Sequence, residues 1–234
     1  MAADPLFSHF RDRALALALE KAAMEADGAM LTEEQARAFD RAHEIAATTR
    51  DEMFAVLADR LDDLDEYLLR DFSPREMWAG ITDERVMRRA IAAELDRSAN
   101  DLYIVDQEGA TADEKETDIR LRAKLSEQQA VIELKLGDGR PGRDLRDTLS
   151  QQLVKKYMAS EITRSGCLLV TVSKDRTWDH PDTGKSLDIV GLEEMLKAEA
   201  SRIEQEMGMS LRLTVKVLNL RPRLQTERRK AKSE

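Results

Sequence analysis

The chain has 234 residues, 42% of them hydrophobic and 35% charged, with a formal net charge of −9. That is enough apolar side chain for one large domain or two small ones with a real core, and the acidic total excludes a surface that is a nucleic-acid platform all round while leaving room for a local basic cleft. The single cysteine, Cys167, excludes an internal disulfide and a cysteine-based metal knuckle, and no stretch approaches the length of a membrane span, so the expected location is the cytoplasm, away from membrane.

From Leu6 to about Arg70 the sequence is helical and nearly free of breakers. Gly28 marks a turn and Thr32 the N-cap of a new helix. Met53, Leu57, Leu61, Leu64 and Leu68 follow at steps of four, four, three and four, which is the apolar stripe of one helix face. Such a stripe is expected to pack on a neighbouring helix of the same chain. His9 and His43 stand alone, and the segment carries no chemical motif, so its expected role is scaffolding or partner contact.

Ser73-Pro74 restarts the chain, and Thr82-Asp83-Glu84 reads as an N-cap followed by acidic residues suited to a helix dipole. In the helix that follows, Met87, Ile91 and Leu95 form the buried face. Glu94 lies on or beside that face, where a boundary glutamate reaching into water and a functional carboxylate are both open readings. Short β-rich runs come next: 101–105, then 117–121, where Ile119 and Leu121 oppose Asp118 and Arg120. Asp113, Glu114 and Glu116 lie just before that run, outside its alternation.

The run from Ala130 to Gly137, AVIELKLG, is the centre of the chain. Its apolar residues and the bounding Gly137 and Gly139 predict a core strand. Alternation puts Glu133 and Lys135 on one face and Ile132, Leu134 and Leu136 on the other. Charges at such a position are costly unless they pair or bind something; a plain ion pair on a half-exposed sheet is the alternative to a site. A helix over 143–160 follows, with Leu145, Leu149, Leu153 and Tyr157 at steps of four, and then a buried strand over 166–173 in which Cys167 is a small core residue. A polar loop with Trp178, Asp179, His180 and Asp182 lacks the fixed spacing of a metal cluster. A helix over 187–206, an alternating strand through Leu211, Leu213, Val215 and Val217, and a basic tail complete the chain.

An aspartate strand (TDIRL), a strand ending Glu-x-Lys (IELK), a helix with QLVKKY and an apolar strand, in that order, resemble the PD-(D/E)XK nuclease superfamily. The resemblance covers roughly residues 82 to 175. Thr117 stands where the family name has proline, and the spacing from Gln152 to Tyr157 is one residue longer than the QxxxY helix motif of some branches, which leaves Lys156 one helical turn after Gln152.

The resemblance implies a restriction-endonuclease-like α/β domain with a mixed central sheet over 71–222, preceded by a helical region over 1–70 and followed by a basic, flexible tail over 223–234. It implies a nuclease acting on nucleic acid, DNA in the first place, with Mg²⁺ as the ion and Mn²⁺ as its substitute. Asp118 and Glu133 would be its carboxylate ligands, Glu94 a third, and Lys135 the cation that steadies the attacking water and the phosphate. Gln152, Lys156, Arg143 and Lys155 would touch the substrate backbone, with Arg140 and Arg146 adding local positive charge. Bacterial defence or repair is the setting the family suggests. A homo-oligomer or larger complex through the N-terminal helices is the expected assembly. The rival expectation is a non-catalytic interaction module on the same fold.

Overall fold

The computed structural model describes residues 44–107, 118–158 and 160–222, with scattered positions between 15 and 41. The chain divides into two units, Met1–Glu44 and Ile45–Glu234. In the first unit, residues 15–19 and 21–23 are helical. Thr32 and Gln35 cap each other: the Gln35 N–H donates to Thr32 Oγ1 at 3.2 Å and the Thr32 N–H to Gln35 Oε1 at 2.9 Å. That is the capping-box arrangement, at the residue expected to begin a helix. Gly28, His9, His43, Asp113, Glu114, Glu116 and the tail 223–234 lie outside the described residues.

The second unit is built on a five-stranded mixed sheet in the order β1 (Tyr103–Gln107), β2 (Asp118–Ala123), β3 (Gln129–Leu136), β4 (Ser165–Val172), β7 (Arg212–Asn219). The pairs β1–β2 and β2–β3 are antiparallel; β3–β4 and β4–β7 are parallel. The helices are α1 (Arg50–Leu68), α2 (Arg75–Ala79), α3 (Glu84–Arg97), α4 (Gly142–Thr148), which continues as a π-helix over Leu149–Tyr157, and α5 (Ile189–Glu206). The loop around Trp178 and His180 forms a small hairpin, β5 (Trp178–Asp179) with β6 (Ser186–Leu187). The fold is therefore α/β, with helices on both faces of the sheet. No helix among the described residues is long and apolar enough to cross a membrane.

Each face of the sheet has its own apolar layer. On one, Ile119, Leu121, Ile132, Leu134, Cys167 and Leu169 pack against α1 and α3. On the other, Val131, Leu168, Val170, Val215 and Val217 pack under α4, the π-helix and α5. Burial in the first layer raises the Cys167 thiol well above the ordinary range, as befits a small core side chain. Gly166 in β4 lets the π-helix sit close. A Cβ there would lie 2.8 Å from Met158 Sδ and 3.1 Å from Leu153 Cδ1.

The expected boundary at residue 70 is corrected by the packing of α1. Met53, Leu57, Leu61, Leu64 and Leu68 form one face, as their spacing indicates, but that face is buried against the sheet and α3. The stripe is thus part of the α/β core and is withdrawn from partner contact. The helix starts at a second capping box. Thr49 Oγ1 accepts from the Glu52 N–H at 3.2 Å, and Glu52 Oε2 accepts from the N–H groups of Thr48 and Thr49 at 2.7 and 3.0 Å.

The packing and cap of α1 can be tested in three ways. Leu57→Ala should destabilise the sheet domain by about 2–5 kcal/mol in urea unfolding, and a chain beginning at residue 71 should lose its cooperative melt. The bond from the Thr48 N–H, above all, holds the Glu52 carboxyl below its ordinary value. A lowered folded-state value contributes stability that is present above the ordinary glutamate range and is lost as pH falls through the lowered value. The stability gap between the wild type and Glu52→Gln should accordingly be open at neutral pH and close in acid.

Candidate active site

Alternation along β3 places Val131, Glu133 and Lys135 on the face covered by α4, the π-helix and α5. Leu168 and Val170 flank Glu133 and Lys135 in register on β4. The two charged residues are 1% and 4% exposed, so the half-exposed sheet face considered from sequence is replaced by an interior one. Lys135 Nζ donates to Glu133 Oε1 at 2.5 Å. Among the described residues, Glu133 Oε2 is buried with no hydrogen-bond partner. A buried carboxylate oxygen without a hydrogen-bond donor is costly, and a bound cation relieves the cost.

The antiparallel register opposes Asp118 to Glu133 directly across β2 and β3. Directly opposed positions belong to the same face of a sheet and are its nearest cross-strand neighbours. The pairing therefore brings Asp118, Glu133 and Lys135 together by backbone position.

A third carboxylate reaches the group from α3, but it is Glu84 and not Glu94. Glu84 Oε2 is 3.9 Å from Lys135 Nζ, and Glu84 Oε1 accepts from Arg140 Nη2 at 2.7 Å and from the Leu136 N–H at 3.3 Å. The first residue of α3 is thus tied to the end of β3. The other end of α3 lies beside Tyr103, whose hydroxyl donates to the Leu95 carbonyl at 2.8 Å. Tyr103 pairs with Ala123, one step beyond the Arg122–Gln129 pair that opens β3. Helix α3 therefore runs antiparallel to β3. Glu94, about 15 Å along the helix from Glu84, sits near the start of β3 and pairs with Arg97 at 2.5 Å. Among the described contacts Glu94 is paired within its own helix, and Glu84 is the α3 carboxylate beside Lys135.

The end of β3 is itself pinned. The Asp138 carboxylate accepts from the Ser173 N–H at 3.0 Å, the Ser173 hydroxyl at 2.6 Å and the Lys174 N–H at 3.1 Å, which ties the turn after β3 to the end of β4. Arg176 adds bonds to the Gly137 and Asp138 carbonyls and lies over the Trp178 ring.

The residues expected to touch substrate divide. Gln152, Lys155 and Lys156 are exposed on the π-helix and Arg143 is exposed on α4. Arg140 is engaged by Glu84, and Arg146 by Asp147 and Asp182 at 3.3 and 2.9 Å. Tyr157 is buried and its hydroxyl accepts from Lys156. The π-helix bears on the long Gln152–Tyr157 spacing, since its i→i+5 bonding brings residues five apart onto successive turns. The extra residue is absorbed by a wider turn.

Among the described residues no group of three or more His, Cys, Asp or Glu gathers as a metal site. The donors nevertheless suit a hard cation. Glu133 offers a buried oxygen without a partner, Asp118 is opposed to it in register, and carboxylate oxygens are the ligands Mg²⁺ takes. No family model matches the chain, and no curated protein or solved structure matches it.

The pair makes a stability prediction. Lys135→Met leaves Glu133 buried and alone and should cost about 3–5 kcal/mol, not leave the fold untouched as an exposed lysine would. The double variant Glu133→Met, Lys135→Met should recover most of that loss, because matched apolar side chains replace a buried ion pair nearly neutrally. Urea denaturation of the three proteins measures both.

Proposed function

We propose that the chain is a metal-dependent nuclease of PD-(D/E)XK type, with a restriction-endonuclease-like domain that hydrolyses phosphodiester bonds of nucleic acid, DNA in the first place. The observation that carries the reading is the buried Glu133 Oε2, which has no hydrogen-bond partner among the described residues, beside Lys135 and with Asp118 opposed across the register. The order of strands and helices through β1, β2, β3, the α4 segment and β4 supports it as well.

In this reading Asp118 and Glu133 hold the ion. When bound there, Mg²⁺ supplies a charge that neutralises the scissile phosphate and makes a coordinated water more acidic. Lys135 contributes a fixed positive head that orients the attacking water and meets negative charge developing on a phosphate oxygen. Glu84 steadies that head from 3.9 Å and is itself anchored by Arg140 and by the backbone of Leu136. Attack of water on phosphorus forms one P–O bond and breaks the bond to the leaving sugar oxygen; the attacking water gives a proton to solvent and the leaving oxygen takes one from it. Gln152, Lys155, Lys156 and Arg143 contact the backbone and carry no base information.

One observation favours the second reading, a non-catalytic interaction module. The Glu133–Lys135 pair is closed at 2.5 Å, with side chains 2% and 6% exposed, as a purely structural pair would be. With the α1 stripe buried, assembly in that case falls to the Met1–Glu44 unit, where Leu15, Leu17 and Leu19 are exposed.

Plasmid, linear duplex and single-stranded DNA incubated with the full chain separate the two. Cleavage in Mg²⁺ and Mn²⁺ that is abolished by chelator is expected. The double variant Glu133→Met, Lys135→Met, folded as the wild type, should lose on the order of 10³ or more in rate. Absence of cleavage by wild type on all three substrates overturns the nuclease reading.

A further inference from the structure

The face of the sheet that carries Glu133 is covered only in part. Under α4, the π-helix and α5, the β3, β4 and β7 positions are apolar and buried. Beyond Glu133, on the same face, the register continues through polar positions: Arg120 opposes Val131 and Asp106, and Arg122 opposes Gln129 and Ile104. Arg122, Asp106 and Ile104 are open, and Arg120 is half-buried with its Nε enclosed. The side chains of Arg122 and Asp106 are 56% and 40% exposed, and Ile104 is 51% exposed. The opposite face of the same two strands is buried under α1 and α3, as Tyr103, Ile119 and Leu121 show. Among the described residues the helical cover therefore ends at Glu133, and the candidate site lies at that line. Arg120 and Arg122 follow Asp118 along one strand at every second residue, so all three belong to one row.

We propose that this row, Arg120 and Arg122 on the uncovered β1–β2 face, is the track along which a nucleic-acid backbone is led to Asp118 and Glu133. The inference rests on the nuclease reading and adds to it the surface that holds the substrate away from the scissile bond. Three observations select a polyanion as the occupant. Two arginines stand in line with the site. The row is continuous with Asp118. The partner of Arg122, Asp106 at 2.8 Å, is an exposed carboxylate, and an exposed pair of this kind contributes little and exchanges readily for another anion. Arginine is suited to that exchange because its fork grips two phosphate oxygens at once. Contacts of this class position a backbone and are indifferent to base identity. In this arrangement Asp106 is a competitor that phosphate must displace.

The competitor gives the test its sign. Binding of a fluorescein-labelled oligonucleotide, single-stranded and as duplex, is measured by anisotropy over a range of KCl with chelator present, on the full-length chain. Arg122→Ala should weaken binding about three- to tenfold, equally for unrelated base sequences, and lower the slope of log K against log salt by about one. Arg122→Lys should retain the slope. Asp106→Ala should tighten binding. A surface pair with no role in binding would leave both Arg122→Ala and Asp106→Ala at the wild-type affinity, and that result overturns the proposal. A shift of both variants in the same direction overturns it too. If the wild type cleaves DNA in Mg²⁺ while Arg122→Ala binds as tightly as wild type, the track is wrong and the nuclease reading stands. If the wild type neither binds nor cleaves any of the nucleic acids, the nuclease reading fails and the track with it. Binding of acidic peptide in place of nucleic acid, with the same response to both variants, assigns the row to a protein partner and likewise overturns it.

Discussion

The structure turns on a single costly placement: a glutamate and a lysine inside a strand whose neighbours are Val131, Ile132, Leu134, Leu168 and Val170. Two charges removed from water lose several kcal/mol of hydration each, and the short Lys135–Glu133 bond satisfies only one carboxylate oxygen. Everything around the pair keeps it where it is. Glu84 brackets Lys135 from the start of α3, Asp138 locks the turn that follows β3, and Gly137 lets that turn lie against β4, where a Cβ would come 2.8 Å from Val170 Cγ1. A fold that merely needed a strong central strand would carry Val or Ile at 133 and 135 and would need none of these supports. Selection for stability alone does not account for the arrangement, which is the reason to read it chemically.

The role of α1 follows from the same constraint. The sheet has two faces to cover, and α3 alone covers only part of the face that bears Ile132, Leu134, Cys167 and Leu169. Helix α1 completes the layer and is held to the sheet by more than apolar contact. Lys216 of β7 bonds Asp62 and Asp65 at 2.8 and 3.0 Å; desolvation depresses its basicity, but the two carboxylates outweigh it and hold the ammonium above its ordinary value. The Ser165 hydroxyl donates to the Arg50 carbonyl at 3.1 Å, so the first turn of α1 is joined to the start of β4. A helix outside the resemblance is thereby a structural precondition of the strands within it.

What the sequence disclosed and what it hid divide along the range of the physical signal. Alternation is a two-residue rule, so the common face of Glu133 and Lys135 and the split of Ile119 and Leu121 from Asp118 and Arg120 could be read directly. Caps are four-residue rules, and Thr32 was legible for the same reason. The stripe from Met53 to Leu68 declared a buried face but not its partner, because helical periodicity carries no information on what the helix meets. Glu84 was hidden behind its capping role. Position in sequence marks it as first-turn acid, whereas its approach to Lys135 depends on α3 beginning where β3 ends, a contact between residues 52 apart along the chain. For Glu94 the azimuth on the helix was legible, but its pairing with Arg97 one turn on was not singled out.

The π-helix shows how little sequence such a hidden feature needs. Leu149, Leu153 and Tyr157 recur at steps of four, a spacing that an α-helix and a wider helix serve equally well, so the apolar pattern cannot choose between them. The choice is made across the interface. Gly166 removes a Cβ that would stand between β4 and the helix, and Leu153 and Met158 close on the space it leaves. Long runs of i→i+5 bonding are rare because the backbone packs poorly around its own axis, so this one must be sustained from outside, by burial of Leu149, Leu153 and Tyr157 on Val131 and β4. The consequence reaches the exposed side of the helix. Gln152, Lys155 and Lys156 are spaced around a wider turn than an α-helix would give them, and their presentation is fixed by the glycine beneath and not by their own sequence.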